Sequence, residues 1–277
     1  IGMNILDTVK KHNFRFSKKY GQNFIGDENL LDAIVFDAGI SADDTVIEVG
    51  TGAGTLTRAI ARKAKKVISF EIDASLRPVI DETLNGVAGC EVVFADVMDF
   101  SAREIDEKAG GNFKLVANLP YYITTPVIFK FLECENLTSA TIMVQKEVAE
   151  RMCAQQGPQY GALSVAVQLV SEPCIKRIVG RSCFTPQPSV DSAIVRLDVM
   201  RRSGIKDFAL LKKLVRAAFG MRRKTLANNL IASFGMQRGQ AEELLRQAGF
   251  SAMIRGENVT VDGFIALSNI LSEEGEH

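Results

Sequence analysis

The segment Asn118-Leu119-Pro120-Tyr121 combines residue types that can hold and activate an aromatic amine. The side-chain oxygen of Asn118 and a backbone carbonyl held by the proline are two acceptors, and together they can bind both hydrogens of an exocyclic amine. The amine of adenine is a poor nucleophile because its lone pair is delocalised into the ring. Drawing the nitrogen towards a tetrahedral shape localises that lone pair, while the Tyr121 ring can stack on the base. The alternative is an ordinary turn that closes a strand.

A glycine-rich segment, Glu48-Val49-Gly50-Thr51-Gly52-Ala53-Gly54, lies between a strand-like run and a helix-like run. Glycines allow a tight strand-to-helix turn and a close approach of a ligand to the backbone, although such a turn often only packs a helix on a sheet. Glu71 ends the next predicted strand, where a carboxylate can accept hydrogen bonds from both hydroxyls of a ribose. Asp96 follows the third strand, where an acid can accept from an adenine amino group.

These features fit two kinds of cofactor. A dinucleotide would place its pyrophosphate at the start of the helix, where negative charge is favoured. S-adenosylmethionine has no phosphate and carries a sulfonium cation, so an acid beside the glycine turn is tolerated or helpful. Glu48, two residues before Gly50, therefore favours the methyl donor over a nicotinamide, and these residues alone leave both open.

The elements that must position these residues alternate between strands and helices. Strands are predicted over 45–49, 66–71, 91–95, 114–117 and 141–144, and helices over 28–39, 56–63, 75–84, 101–108, 126–132 and 146–154. This alternation predicts an α/β fold with a parallel sheet that is covered on both faces. Two later strand-like runs, 174–179 and 193–199, have no convincing helix between them and could close the sheet as a hairpin.

Beyond Met200 the pattern becomes helical. Helices are predicted over 207–219, 222–232, 240–248 and 261–271, with glycines at several of their ends. We therefore predict two domains. The first is a Rossmann-like domain with a basic N-terminal arm over 1–200, and the second is a small all-helical domain over 201–277.

The charges are balanced overall but unevenly distributed. The 33 basic and 33 acidic residues cancel, yet 8–26 contains five basic residues and no acid, and 201–224 contains nine basic residues and one acid. Such blocks indicate a polyanionic partner, and the alternative is two solvated basic faces.

Several chemistries lack the residues they need. The only histidines are His12 and His277, so a Ser-His-Asp mechanism or a multi-histidine metal site has no basis. The five cysteines contain no CxxC pair, which makes a disulfide framework or a thiolate zinc site a poor fit, and we expect no metal. No apolar run reaches the ~18 residues of a membrane span, and the N-terminus is basic, so a cytoplasmic protein is expected.

Further segments extend the pattern over nearly the whole chain. They are Gly21-Gln22-Asn23-Phe24, Tyr160-Gly161-Ala162-Leu163-Ser164, the run from Phe184 to Ser192, and parts of 218–230 and 255–266. Together with the motifs above, they resemble the rRNA adenine N6-dimethyltransferases, the family of the bacterial KsgA/RsmA enzymes. The resemblance implies a Rossmann-like S-adenosylmethionine-dependent methyltransferase domain with a small C-terminal helical domain that binds RNA.

The resemblance also implies roles for individual residues. S-adenosylmethionine would be bound by Asn23, Ile25, Gly50, Gly52, Glu71, Ile72, Asp96, Val97 and Asn118. Asn118, Leu119, Pro120 and Tyr121 would form the catalytic segment, and Tyr121 and Phe184 would sandwich the flipped adenine. Without the family, Phe184 would be read as a core aromatic. Phosphate contacts are expected from Lys10, Lys11, Arg15, Lys18, Lys19, Arg222, Arg223 and Lys224.

The implied reaction is the conversion of two adjacent adenines to N6,N6-dimethyladenine in a hairpin near the 3′ end of small-subunit rRNA. The expected partner is 16S rRNA within the assembling 30S subunit, with no membrane contact, and we expect a monomer. One departure is Tyr122, which stands where the bacterial family commonly has Asn. We expect it to change loop packing and to leave the chemistry intact.

Three other functions remain to be distinguished. An Erm-type enzyme would modify large-subunit rRNA, but Thr124-Thr125-Pro126 and Val190-Asp191-Ser192 look more like the small-subunit group. A ribosome-assembly or transcription factor could keep the fold without methylating, although the intact catalytic segment argues against lost catalysis. A protein-glutamine or DNA-adenine methyltransferase shares the amine chemistry, yet would not explain the helical tail with its basic entry.

Overall fold

The computed structural model describes residues 8, 9, 11, 12, 14 and 21–274 of a chain that divides into two compact units. The first unit contains 1–149 and 174–199, and the second contains 150–173 and 200–277. The sequence-based boundary after residue 200 assigns 150–173 to the first domain instead. The structure differs there because Tyr160, Val165 and Leu169 are buried in the same apolar cluster as the C-terminal helices.

A seven-stranded sheet carries the fold of the first unit. The strands of the structure are β1 (Phe24–Ile25), β2 (Thr45–Val49), β3 (Lys66–Glu71), β4 (Cys90–Phe94), β5 (Phe113–Asn118), β6 (Leu137–Gln145), β7 (Ser171–Val179), β8 (Phe184–Thr185) and β9 (Ser192–Val199). The sheet order is β4-β3-β2-β5-β6-β9-β7, and β1 pairs separately with β8. Each neighbouring pair in the order β4-β3-β2-β5-β6 is parallel, whereas β9 runs antiparallel to β6. The predicted α/β fold is confirmed, and the two late strands are neighbours at one edge of the sheet.

The helices are close to the predicted ones. They are α1 (Glu28–Asp37), α2 (Thr55–Ala61), α3 (Arg77–Thr83), α4 (Ala102–Ala109), α5 (Thr124–Leu132), α6 (Lys146–Cys153), α7 (Ala162–Gln168), α8 (Phe208–Ala218), α9 (Leu226–Phe234), α10 (Arg238–Gln247) and α11 (Val261–Glu274). Local sequence sets several of their ends. The Asp27 side chain accepts hydrogen bonds from the backbone of the first turn of α1. Ser101 and Glu104 form a capping box at the start of α4, and Gly110 ends it at a φ of 72°. In the described part of the chain, no helix is long and apolar enough to cross a membrane.

The order of the strands determines where a ligand can bind in the first unit. From β2, the chain first adds β3 and β4 on one side and then returns to add β5 and β6 on the other. The crevice between β2 and β5, at the carboxyl ends of the strands, is the topological switch point of the sheet, where open α/β sheets bind their ligands. Val49 ends β2 and Asn118 ends β5 at this crevice.

The second unit is built on helices around its own core. Leu211, Leu214, Leu230, Leu244 and Phe264 are among its fully buried side chains. This unit also contains α7, which the sequence patterns did not predict.

The predicted helix 222–232 begins later than expected. It starts at Leu226, because Thr225 caps it and the preceding residues form a turn. The Asn229 side chain holds that turn: its amide donates to the Ala218 carbonyl at 3.2 Å, and its oxygen accepts from the Met221 N–H at 3.0 Å.

Candidate active site

A pocket opens at the switch point of the sheet in the first unit. Its lining comes from the ends of β2, β3, β4 and β5, from the segment before α1, and from β8. Among the predicted site residues, the lining contains Asn23, Gly50, Gly52, Glu71, Ile72, Asp96, Val97, Asn118, Leu119, Pro120, Tyr121 and Phe184. Thus residues from Asn23 to Phe184 meet in one pocket, because parallel strands end at the same edge of the sheet.

Ile25 is the one predicted donor-binding residue that the structure places outside this lining. Its side chain is buried in the apolar cluster beneath the sheet edge, and its carbonyl accepts from the Thr55 hydroxyl at 2.9 Å. As part of β1, Ile25 pairs with Phe184. Its side chain therefore packs in the core, and its part in donor binding stays a prediction.

The glycine turn is fastened to the end of β3 by Glu71. One carboxylate oxygen of Glu71 accepts from the Gly52 N–H at 2.8 Å, and the other accepts from the Asp73 N–H at 2.8 Å. Burial raises the pKa of Glu71 above its ordinary value, and these two backbone donors oppose the rise. Gly50, Gly52 and Gly54 have φ angles of 84°, 55° and 81°, which side-chain-bearing residues rarely adopt. The turn therefore requires glycine and places the Glu71 carboxylate at the pocket.

The end of β4 supplies a second acid to the pocket. The Asp96 carboxylate accepts from the Met98 N–H at 2.9 Å and so caps the short 3-10 turn Val97–Asp99. The Lys130 ammonium of α5 donates to the carbonyls of Met98 and Phe100 and fastens the same turn from the other side. Lys130 was not predicted, because nothing in its local sequence indicates that it spans to this turn.

The side chain of Asn118 has a defined orientation. Its amide nitrogen donates to the Asn23 carbonyl at 2.9 Å, which leaves the side-chain oxygen, Oδ1, as the available acceptor. Among the residues that the structure describes, no donor reaches this oxygen. Gly50 lies close by, because a Cβ atom at that position would be 3.6 Å from the Asn118 carbonyl oxygen.

The two backbone carbonyls after Asn118 differ in availability. The Pro120 carbonyl accepts from the Ile123 N–H at 3.1 Å and from the Thr124 hydroxyl at 3.2 Å, so the turn itself uses it. For the Leu119 carbonyl, the described residues provide no such donor. The Leu119 side chain is buried and anchors the segment. Of the two, the Leu119 carbonyl is therefore the acceptor that remains for a ligand.

Two aromatic side chains line the same pocket. The Tyr121 hydroxyl lies 3.0 Å from the hydroxyl of Ser192, which is fully buried at the start of β9. Phe184 is only 4% exposed and belongs to the apolar cluster with Val35 and Ile194. Phe184 is thus a core aromatic, as its sequence alone suggested, and it also lines the pocket that the resemblance to the family predicted for it.

Glu48 does not line the pocket. The prediction that its charge favours a cationic cofactor is therefore wrong. The side chain is fully buried, and one of its oxygens accepts from the hydroxyls of Thr57 and Ser69, each at 2.5 Å. Ser69 in turn lies 2.6 Å from the Thr51 hydroxyl of the glycine turn. Burial raises the pKa of the Glu48 carboxyl to about 8, against the effect of both hydroxyl donors. Glu48 therefore connects β2, β3 and α2 as a predominantly neutral group at pH 7.

A pH dependence of stability follows from the environment of Glu48. Between its unfolded pKa near 4.5 and its folded pKa of about 8, the folded protein binds this proton and the unfolded chain does not, so stability decreases as pH rises. Glu48→Gln has no charge to bury, so it should gain stability relative to the wild type across this window, by several kcal/mol at its upper end. Thermal unfolding of both proteins at pH 5 to 9 checks this, and parallel curves would contradict it.

The lining also distinguishes between the two candidate cofactors. It contains the acids Glu71 and Asp96 and, among the described residues, no lysine or arginine. A pyrophosphate needs free backbone N–H groups at the helix start, whereas the Gly52 N–H already donates to a carboxylate. A ribose and a cationic sulfonium suit this lining, because carboxylate lone pairs can accept the ribose hydroxyls. The residues present therefore fit S-adenosylmethionine.

The predicted RNA-binding residues are placed unevenly. Arg222, Arg223 and Lys224 lie on the exposed turn before α9, in the second unit. Arg222 is partly engaged, since its guanidinium donates to the Pro158 carbonyl at 2.6 Å. Lys11 forms an ion pair with Glu82 at 2.8 Å. Lys10, Arg15, Lys18 and Lys19 lie outside the described residues.

Within the described part of the chain, no group of three or more His, Cys, Asp or Glu side chains could hold a metal ion.

Sequence reasoning missed several residues of the pocket. The Gln22 amide donates to the Asp73 carboxylate at 2.8 Å, which ties the segment before α1 to the end of β3. The Phe24 ring packs against the glycine turn, 3.3 Å from where a Cβ of Gly52 would be. Tyr122 also lines the pocket. The only sequence signal for Gln22 and Phe24 was the motif Gly21-Gln22-Asn23-Phe24, whose individual contacts are not encoded in spacing, whereas Tyr122 stood out only as a departure from the family.

Comparisons with known proteins identify the family of the chain. The family model for ribosomal RNA adenine dimethylase matches residues 13–271. The chain is 43% identical to Ribosomal RNA small subunit methyltransferase A of Clostridioides difficile, over 96% of this chain and 94% of the relative. It is 40% identical to the protein of that name from Bacillus pumilus, over 96% of this chain and 95% of the relative.

Two solved structures have the same fold. A dimethyladenosine transferase from Plasmodium falciparum superposes with a TM-score of 0.78 at 28% identity, covering 91% of this chain and 98% of that one. The 23S rRNA methyltransferase ErmE superposes with a TM-score of 0.70 at 28% identity, covering 90% of this chain and 100% of that one. The chain therefore belongs to the ribosomal RNA adenine dimethylase family, whose members are S-adenosylmethionine-dependent methyltransferases.

Proposed function

We propose that the protein dimethylates the N6 amines of two adjacent adenines in a hairpin near the 3′ end of 16S rRNA, within the assembling 30S subunit. The observation that carries this proposal is the orientation of Asn118. The Asn118 amide nitrogen donates to the Asn23 carbonyl, and its side-chain oxygen is left as an acceptor in a pocket that Glu71 also lines. Relatives named small subunit methyltransferase A support the choice of the small subunit.

The donor half of the pocket would be held by side chains from the strand ends. The Glu71 carboxylate, whose orientation is fixed by Gly52 and Asp73, would accept the ribose hydroxyls with its remaining lone pairs. Asp96 would accept from the adenine amino group, and Ile72 and Val97 would cover the faces of the ring. When bound, S-adenosylmethionine supplies an electrophilic methyl group on a positively charged sulfur.

The acceptor half would hold the target amine by its two hydrogens. The Asn118 side-chain oxygen and the Leu119 carbonyl are the two acceptors that the structure leaves available. Binding both hydrogens draws the nitrogen out of conjugation and localises its lone pair for attack on the methyl group. The methylated nitrogen is cationic, so one of its protons is acidic enough to pass to water, and no strong base is required. After one methylation the nitrogen still carries one hydrogen, which either acceptor can bind. A second transfer in the same pocket is therefore chemically consistent.

The aromatic walls would hold the flipped base. Tyr121 and Phe184 line the pocket together, and each is anchored: Tyr121 through its hydroxyl to Ser192, and Phe184 through the apolar core. Anchored rings lose little conformational freedom when a base stacks on them. Because flipping a base costs a few kcal/mol, such rigid walls favour its capture.

The exposed basic turn would contact RNA phosphates. Arg223 and Lys224 are better candidates for phosphate contacts than Arg222, because the Arg222 guanidinium already donates to the Pro158 carbonyl. Phosphate contacts position a structured RNA without reading its sequence, which suits a substrate selected by shape. We further propose that the protein acts as a monomer in the cytoplasm, where ribosomal subunits are assembled.

Removing one of these charges should weaken binding and its dependence on salt. Arg223→Ala and Lys224→Ala are each expected to lower the affinity for small-subunit particles several-fold and to reduce the slope of log K against log salt by about 1. Arg246→Ala is the matched control, because Arg246 is an exposed arginine of the same unit that pairs with Glu243. Binding measured at several salt concentrations checks this, and unchanged slopes would remove these residues from the interface.

Methyl transfer to defined particles tests the proposed function. Labelled S-adenosylmethionine would be supplied with under-methylated 30S particles and, separately, with 50S particles and 23S rRNA. The RNA would then be digested and examined for N6,N6-dimethyladenosine. The proposal requires the modified base in the small subunit alone. Label in 23S rRNA would favour an Erm-type activity instead, and donor binding without any transfer would favour a non-catalytic role in ribosome assembly.

A further inference from the structure

An exposed aromatic side chain stands at the mouth of the pocket. Tyr122 lines the pocket directly after the catalytic segment, and it is 59% exposed. Among the described residues of the lining, the large apolar side chains that are exposed are Tyr122 and Ile72. Ile72 follows Glu71 on the donor side of the pocket, and it is aliphatic. Tyr122 is therefore the exposed ring on the acceptor side.

The Tyr122 ring lies against the segment before α1 on one side. Gly21 has a φ of +57°, and a Cβ atom there would lie 3.5 Å from the Cε1 atom of Tyr122 and 3.3 Å from the Cβ atom of Pro120. The backbone of Gly21 thus packs closely against the ring and the proline before it. A ring that is held in this way keeps much of its surface in solvent, and little conformational entropy is lost when a partner covers it.

Base flipping creates a need for such a ring. When the target adenine leaves its stack, the neighbouring base loses a stacking partner, and this unstacking is part of the few kcal/mol that flipping costs. An aromatic side chain can replace the lost partner, because every base has a π face, whatever its sequence. Tyr122 is suitably placed, since it adjoins Tyr121, which lines the pocket for the target base itself.

We propose that Tyr122 stacks on the nucleobase adjacent to the target adenine while the target occupies the pocket. The inference rests on the proposed function and adds a second base-binding position to it. Because the two target adenines are adjacent, one of them would be the stacked neighbour in one of the two transfers, and an adjoining nucleotide would take its place in the other. Tyr122 would then act on RNA binding and leave donor binding unchanged.

Steady-state kinetics with three variants tests this position. Tyr122→Ala and Tyr122→Leu should raise the KM for under-methylated 30S particles about tenfold, because base stacking on an aromatic is worth about 1–3 kcal/mol. Tyr122→Phe retains the π face and should stay close to the wild type. The KM for S-adenosylmethionine should not change in any of them. Phe36→Ala is the matched control, since Phe36 is an aromatic residue of α1 that is 80% exposed and outside the pocket lining.

The kinetic outcomes separate the proposal from its alternatives. A raised KM for the methyl donor would show that Tyr122 covers the donor, and equal losses in Tyr122→Phe and Tyr122→Ala would show that its hydroxyl is what matters. Retained affinity in Tyr122→Leu would show apolar contact without stacking. Each of these results, or an unchanged KM for the particles in Tyr122→Ala, would overturn the proposal.

A second measurement does not depend on turnover. An RNA hairpin with 2-aminopurine beside the target adenine would be mixed with the protein and S-adenosylhomocysteine. Stacking on Tyr122 should quench the fluorescence in the wild type and in Tyr122→Phe, and the quenching should be lost in Tyr122→Ala. Equal fluorescence in all three proteins would overturn the stacking role even if 30S particles are dimethylated. Absence of dimethylation by the wild type would instead contradict the proposed function, and the fluorescence would still decide the role of Tyr122.

Discussion

Asn118→Ala is expected to reduce the rate of methyl transfer about 100-fold or more at saturating donor and RNA. The variant loses the side-chain oxygen that would bind one hydrogen of the target amine, and it also loses the 2.9 Å hydrogen bond to the Asn23 carbonyl. Because Asn118 is only partly buried at the end of β5, the protein should remain folded. Single-turnover rates on under-methylated 30S particles, together with thermal unfolding, measure both effects.

Asn118→Asp is the matched variant. A carboxylate keeps an acceptor oxygen and nearly the same volume, but it cannot donate to the Asn23 carbonyl, so its orientation would no longer be set. We expect it to lose activity as well. Near-normal rates in Asn118→Ala, with the fold intact, would remove Asn118 from its proposed role. Full activity in Asn118→Asp would show that the hydrogen bond to Asn23 is dispensable.

Glu71→Ala is expected to weaken the binding of S-adenosylmethionine or S-adenosylhomocysteine about 100-fold, because two hydrogen bonds to a charged acceptor are lost. The variant also leaves the N–H groups of Gly52 and Asp73 without their acceptor, so the glycine turn loses its tie to β3. Glu71→Gln should bind weakly too, since its amide group would present hydrogens to one of these N–H donors. Calorimetric titration with S-adenosylhomocysteine measures the loss.

The same titration against pH tests the charge of Glu71. Burial raises the pKa of this carboxyl, and protonation would convert one of its acceptor oxygens into a donor and weaken its bonds to the backbone N–H groups and to a ribose. Donor affinity should therefore stay constant at high pH and fall as pH decreases through the raised pKa, at a higher pH than an ordinary glutamate would produce. Glu91→Ala, an exposed glutamate of β4 outside the pocket lining, is the control. A Glu71→Ala protein with unchanged affinity would refute the ribose-binding role.

The sequence by itself determined the elements and the chemistry at their ends. Strand and helix periodicity is a local property, so the runs that became β2, β3 and β5 could be predicted within one residue at either end. The resemblance to the family placed Glu71 and Asn118 in one predicted site, and the parallel strands bring them together because their carboxyl ends meet at one edge of the sheet. The family motifs supplied the identity of the reaction.

Tertiary structure alone decided how those residues are used. The direction of Glu48 depends on which side chains cover β2, and Thr57 and Ser69 bind it inside the protein, away from the pocket. The orientation of the Asn118 amide depends on a carbonyl 95 positions earlier in the chain. Spacing along a chain cannot encode such contacts, because they arise only after distant segments pack.

The helical unit illustrates the same limit. The segment 150–173 joins the C-terminal helices because Tyr160, Val165 and Leu169 find buried partners there, whereas its position in the chain suggests the first domain. Similarly, two-residue strands such as β1 and β8 carry no periodicity, and they exist because Ile25 and Phe184 pair across the fold. Local patterns therefore specify which elements form and what their ends can do, and long-range packing decides which atoms are presented to a ligand.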